Sequence, residues 1–179
     1  MNSSYKNTVN YSELFSVMTF IKNPKKIVEI GILDGFSLSQ FVDSSSKTTN
    51  IYAYDIFEKF NGNHAVKDTI LSKFNQDNVH IEEKDFFDIY KDHEDNSIDI
   101  LHVDVANNGD IYEFIFNNYI QKIAKGGIII LEGGSEERDN VAWMNQYNKP
   151  KIIPVINKYK NRYNIKTVQS FPSITIINC

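Results

Sequence analysis

The chain has 179 residues, 41% hydrophobic and 23% charged, with a formal net charge of −4. That length fits one domain, 1–179, around a single core, and the acidic balance excludes nucleic acid as the default partner because the basic footprint it needs is missing. The one cysteine, Cys179, excludes an intrachain disulfide and a cysteine metal cluster; no apolar run reaches a membrane span and the N-terminal run shows no apolar leader, so a reducing cytoplasm is the expected setting.

Residues 11–22 place Leu14, Phe15, Val17, Met18 and Ile21 at helical spacing, which predicts an inward-facing stripe on a helix ended by Asn23 and Pro24. Lys26 to Ile30 is a short β-branched run and predicts a first strand. Gly31 and Gly35 then supply the permissive backbone of a sharp strand-to-helix bend. Ser37 followed by Gln40 has capping-box spacing, so the next helix is expected to begin there, with Leu38 and Phe41 turned inward. Such a bend opens over a helix N-terminus, where open α/β sheets hold ligands.

What the bend lacks narrows the ligand. Leu33 and Phe36 occupy positions where a dinucleotide loop needs glycine, and Phe36 with Ser37 breaks the phosphate-loop pattern. Glu29 and Asp34 would repel an anion across a partly desolvated gap, so a cationic ligand is expected.

Ile51 to Phe57 predicts a second strand that closes on Asp55, about two dozen residues past Gly31, near the spacing at which Rossmann-like sheets place a ribose-binding carboxylate. A helix is expected through Ala65, Ile70, Leu71 and Phe74, entered from Gly62 and Asn63, with His64 at its start as either a solvated residue or a general base. Val79 to Asp85 predicts a third strand, and Asp85 can cap a short helix through Ile89 and Tyr90. Ser97 to Val105 predicts a central fourth strand; Asp104 falls at its carboxyl end, and His102, of the same parity, is expected to be a packed core histidine. A helix should follow from Asp110, whose spacing to Glu113 is again that of a capping box, and end at Lys125, Gly126 and Gly127. Ile128 to Glu132 is a fifth, wholly apolar strand ending in a carboxylate. Residues 133–149 lack periodicity; Arg138, Trp143 and Tyr147 stand there as either acceptor-pocket or packing residues. Pro150 opens a helical face running to about Tyr163, interrupted by Pro154. The alternating runs 165–171 and 173–178, split by Pro172, predict an antiparallel pair.

The order implies an α/β chain with a mainly parallel sheet and an antiparallel partner at one end. The motif Glu29-x-Gly31-x-x-x-Gly35, with Asp55, Asp85 and Asp104 at successive strand ends, resembles class I S-adenosylmethionine-dependent methyltransferases over residues 12 to the end. Ile98 to Asp104, Tyr112-Glu113 and Gly126 to Glu132 are similar to small-molecule O-methyltransferases acting on sugars and antibiotics. The resemblance implies a Rossmann-like, doubly wound, seven-stranded sheet with an antiparallel last strand: an N-terminal helix at 11–22, a cofactor-binding half at 26–105 and a substrate-side half at 106–179. It places Glu29, Gly31, Leu33, Gly35, Ser37, Asp55, Ile56, Phe57, Asp85, Phe86 and Asp104 around S-adenosylmethionine, with Asp104 and His64 as catalytic candidates. Some of those relatives bind a divalent cation, which here would be Mg²⁺ on Asp104 and Glu132, although Gly133 and Gly134 stand where they carry a further ligand; the alternative is metal-free catalysis that holds acceptor and methyl in line, with a nearby carboxylate or His64 taking the proton. The expected partner is a small hydroxylated acceptor. A non-catalytic cofactor-binding module and a nicotinamide-dependent oxidoreductase remain as alternatives, and a homo-oligomer stays open because no signal specifies assembly.

Overall fold

The computed structural model describes residues 3–6, 10–60 and 63–179; Gly62, read above as part of a helix entry, lies outside them. After a 3₁₀ turn at Ser4–Lys6 come α1 (Ser12–Lys22), β1 (Lys26–Ile30), α2 (Phe36–Ser44), β2 (Asn50–Asp55), α3 (Lys67–Lys73), β3 (Val79–Glu83) and α4 (Phe86–Ile89). They are followed by β4 (Ile98–Val103), α5 (Gly109–Phe114), β5 (Ile123–Glu132), α6 (Glu136–Asp139), α7 (Ala142–Gln146), α8 (Ile152–Tyr159), β6 (Asn164–Val168) and β7 (Ile174–Asn178). The seven strands form one sheet of order β3-β2-β1-β4-β5-β7-β6, parallel through β5, with β7 antiparallel to both β5 and β6.

The apolar strands are buried on both faces because alternate residues feed two cores. Ile27, Ile100, Ile128 and Ile130 pack under α1 and α2, whereas Val28, Leu101, Val103, Ile129 and Leu131 pack under α5 and α8. The chain leaves β1 toward β2 on one side and returns to β4 on the other. The gap between the carboxyl ends of β1 and β4 is therefore the switch point at which such sheets bind ligands.

Several local expectations change. On α1 the inward residues are Phe15 and Thr19 with Leu14 and Met18, while Val17 and Ile21 turn out beside Phe20, at 52%, 71% and 79% exposure. The helix is apolar on two sides, and periodicity alone cannot say which side meets α2. α2 begins at Phe36 behind Gly35 in the left-handed region (φ 76), and Ser37 spends its hydroxyl on Glu29 rather than on a capping box. α3 spans only Lys67–Lys73, leaving Ala65 in the preceding loop and Leu71 40% exposed. α5 is capped by Asn108, whose side chain accepts from the Asp110 amide at 2.8 Å, not by Asp110. Lys125 to Gly127 lie inside β5, which starts at Ile123 and carries an irregularity between its pairings with Ile98 and Ile100. Pro154 is harmless in α8 because it is the third helical residue, where an amide has no intrahelical partner; the amides of Ile152 and Ile153 donate instead to the Asp139 carboxylate at 2.7 and 2.9 Å.

Candidate active site

Gly31 is the closest approach of the bend to the neighbouring strand. Its amide donates to the Tyr54 carbonyl at 2.8 Å, its φ is +93°, and a Cβ there would lie 2.0 Å from the Asp104 carbonyl oxygen. The Asp104 amide in turn donates to Ile30 at 2.9 Å, so β2, β1 and β4 end in one stitched rim. Asp55 locks the bend from the β2 side. Its Oδ2 accepts from the amides of Ile32 and Leu33 at 2.7 and 3.2 Å, and its Oδ1 from the Phe57 amide and the Asn63 side chain at 2.8 and 2.7 Å. These donors fill the lone-pair sites of a carboxylate.

Above this rim lies a cavity of about 500 Å³, within the range that encloses a small ligand. Of the residues expected around the cofactor, Gly31, Leu33, Ser37, Asp55, Ile56, Asp85, Phe86 and Asp104 line it. Asp85 also caps α4, accepting from the Phe87 amide at 2.9 Å. Three carboxylates and one cation, Lys84, face the cavity, whose remaining wall is largely apolar.

Four expected residues stand elsewhere. Glu29 lies fully buried beneath the rim, with one carboxylate oxygen bonded to Ser37 and 3.0 Å from His102 Nδ1. Gly35 meets the Phe74 ring, and Phe57 is fully buried in the core. His64 is exposed and is not part of the cavity wall, because α3 begins three residues later and its entry runs over the surface. Arg138, Trp143 and Tyr147 do not line the cavity either; Tyr147 is 64% exposed.

Residues the sequence reading missed complete the wall. Tyr5 of the N-terminal 3₁₀ turn is fully buried there, with its hydroxyl 3.1 Å from His102 Nε2. Glu29 and His102 face each other in register on β1 and β4. The Glu29 carboxylate selects the Nδ1–H tautomer of His102, and Nε2 is then left to accept from Tyr5. The histidine is packed among the rings of Tyr5, Phe15 and Phe41, in keeping with its expected core role. Burial raises the Tyr5 phenol well above its ordinary range, with the Asp104 and Glu132 charges adding to the rise, so it stays a neutral hydrogen-bonding group. Phe60, Phe87 and Asn63 close the rim.

At the end of β5, Glu132 is held by Arg138. The guanidinium donates from Nε at 2.5 Å and from Nη2 at 2.9 Å to the two carboxylate oxygens, and from Nη2 to the Asn107 carbonyl at 3.1 Å. Trp143 covers it, 5.2 Å from ring centre to guanidinium carbon. Burial raises the Glu132 carboxyl above the carboxylate range, and Arg138 opposes that rise. Asp104 is also raised, mainly by burial, against the lowering effects of His102, Tyr5 and Arg138. The donor set does not fit Mg²⁺. Both Glu132 oxygens are taken by a cation of the protein itself, and among the described residues no cluster of three histidine, cysteine or acidic side chains could hold a metal ion.

A doubly wound sheet with an acid-lined cavity at its β1/β4 switch point defines a Rossmann-like α/β protein with its cavity where such sheets bind ligands. A family model described as a methyltransferase domain matches residues 28–132, more than half of the chain, and the chain belongs to that family. No curated protein matches the sequence. Among solved structures it is similar to an O-methyltransferase from Bacillus cereus in complex with SAH, with 16% identity, TM-score 0.73, and 99% of this chain and 84% of that one covered. The O-methyltransferase TomG from Streptomyces achromogenes, in complex with SAM, shares 14% identity at TM-score 0.68, with 96% and 80% covered. The SAH-bound methyltransferase PaMTH1 from Podospora anserina shares 17% at TM-score 0.66, with 99% and 79% covered. These likenesses establish the fold. No described helix is long and apolar enough to cross a membrane.

Proposed function

We propose that this methyltransferase-family chain moves the methyl group of S-adenosylmethionine to the oxygen of a small hydroxylated acceptor. The observation that carries the reading is the cavity at the carboxyl ends of β1, β2 and β4, with three carboxylates on an otherwise apolar wall. That lining suits a ligand with a sulfonium, an ammonium and a flat apolar base better than it suits an anion. The SAM- and SAH-bound relatives support the same cofactor, and the O-methyltransferases among them support oxygen as the methylated atom.

In this reading the bend from Gly31 to Leu33 lies against the cofactor, and Ile56, Phe86 and Phe87 flank its base. Asp55 presents the bend; to accept from a ribose hydroxyl it exchanges one of its present donors, of which Asn63 is the only side chain among the described residues. When bound, the cofactor supplies an activated methyl group. Asp104 accepts the proton that the acceptor hydroxyl loses as its oxygen takes the methyl; the S–CH₃ bond breaks as the O–CH₃ bond forms, leaving a neutral thioether. Burial, by raising the Asp104 carboxyl, makes it a better proton acceptor than an ordinary carboxylate. Holding oxygen and methyl in line supplies the rest. Residues 26–105 are the cofactor side of this single unit and 106–179 the acceptor side.

Thermal unfolding with a cofactor panel tests the proposal. S-adenosylmethionine and S-adenosylhomocysteine at a hundredfold excess over their Kd are expected to stabilise the protein by about 2.7 kcal/mol, and NAD to leave it unchanged. Protection by NAD alone, or by none of the three, would overturn it.

A further inference from the structure

The end of β5 carries an ion pair whose position decides how this site is charged. Glu132 and Asp104 close the two strands beside the switch point, and Glu132 feels Asp104 as a neighbouring negative charge. Two carboxylates at such strand ends invite a cation between them. Here that cation is covalently part of the chain. Arg138 is 5% exposed, grips Glu132 through two nitrogens, reaches the Asn107 carbonyl just past β4, and lies within electrostatic reach of Asp104.

The surroundings are built to keep it there. Ser135 starts α6 by accepting from the Arg138 amide at 3.1 Å, which fixes the backbone six residues after Glu132. Met144 Sδ lies 3.1 Å from Nη1, and Trp143 covers the guanidinium face. Asn107 donates to the carbonyls of Val103 and Glu132, tying the ends of β4 and β5 together around the charge. Gly133, the next residue after Glu132, has φ +105°, a backbone conformation in which any L side chain, a ligating one included, is strained. A divalent ion needs several oxygen ligands that carry uncompensated negative charge, and here both Glu132 oxygens already accept from a bidentate guanidinium that neutralises the carboxylate.

We infer that Arg138 is the resident cation of this site, standing where a divalent ion would have to sit, and that methyl transfer in this protein is metal-independent. The inference rests on the methyltransferase reading for its reaction, but the ion pair is independent of any cofactor. Arg138 does not reach the cavity, so it is a positioning residue: it neutralises Glu132 and sets the electrostatic surroundings of Asp104 from behind the strand ends.

Mn²⁺ binding read by electron paramagnetic resonance tests the inference on the intact chain saturated with S-adenosylhomocysteine. The wild type is expected to leave millimolar Mn²⁺ free. Arg138→Ala should release Glu132 and raise Mn²⁺ affinity at least about tenfold, and adding Glu132→Gln should remove that gain. Stoichiometric Mn²⁺ retention by the wild type, lost in Asp104→Asn, would overturn the inference; so would a folded Arg138→Ala protein that takes up no Mn²⁺. The wild-type arm decides even if the variant does not fold. Failure to bind S-adenosylhomocysteine would count against the functional reading alone, because the Mn²⁺ arms can be run without it.

Discussion

Gly31→Ala is expected to abolish the fold of the cofactor bend, with a loss of at least about 4 kcal/mol. Two independent constraints converge on this residue. Its φ of +93° lies where an L side chain is strained, and its Cβ would sit 2.0 Å from the carbonyl oxygen and 2.7 Å from the carbonyl carbon of Asp104. The obstacle is backbone held in the sheet by the Asp104 amide on Ile30, so it cannot swing away as a side-chain end would. Relief requires β1 and β4 to part at the switch point, which takes the cavity with it. Gly126→Ala is the control. Gly126 also has positive φ, +78°, but nothing lies within 4 Å of its Cβ position, so only the left-handed penalty of about 1–2 kcal/mol is expected. Urea unfolding of the two variants against wild type makes the comparison; equal losses would show that strain, not the contact with β4, is what matters at Gly31.

The second large effect is expected at the buried ion pair. Arg138→Met leaves Glu132, 5% exposed, without its guanidinium and costs about 3–5 kcal/mol, which for a chain of this length lowers Tm by roughly 10 °C or more. The penalty comes chiefly from stranding a charge rather than from the lost attraction. Adding Glu132→Gln to Arg138→Met should therefore recover about half of the loss. Strict additivity of the two single changes in a double-mutant cycle would mean that the carboxylate and the guanidinium are not energetically coupled.

What could be read before the structure was what travels with the strands. A carboxylate that ends an apolar run comes to the carboxyl edge of the sheet with it, so Asp55, Asp85 and Asp104 were legible, as was the bend at Gly31. His102 was legible as a packed core histidine, although it shares its parity with Asp104, because a buried histidine within an apolar strand is usually a packed, hydrogen-bonded one. Glu29 misled because it belongs to the same motif as Gly31 yet precedes the rim by two residues and points under it, toward His102. Tyr5 offered no signal: a single aromatic in a polar run has no period, and only tertiary packing carries it to His102. Arg138 sits among Glu136, Glu137 and Asp139 in a stretch without periodicity, where nothing local says which charge is buried. The demand lay in Glu132, a carboxylate ending a wholly apolar strand, which must find a cation once buried. The resemblance left a metal and metal-free catalysis both open, and the cation that meets Glu132 is Arg138. The same stretch hid Asp139, whose carboxylate takes the first amides of α8 and so permits Pro154. Membership of the methyltransferase family removes the ground for a nicotinamide-dependent reading, which the missing dinucleotide glycines had already weakened.

A crystal structure of the protein soaked with S-adenosylhomocysteine tests the central claim most directly. The account predicts the nucleoside in the cavity over Gly31, its base beside Ile56 and Phe86, its ribose toward Asp55 and its sulfur on the Asp104 side. A cavity that stays empty at saturating ligand, or a nucleoside bound on another face of the sheet, would contradict it.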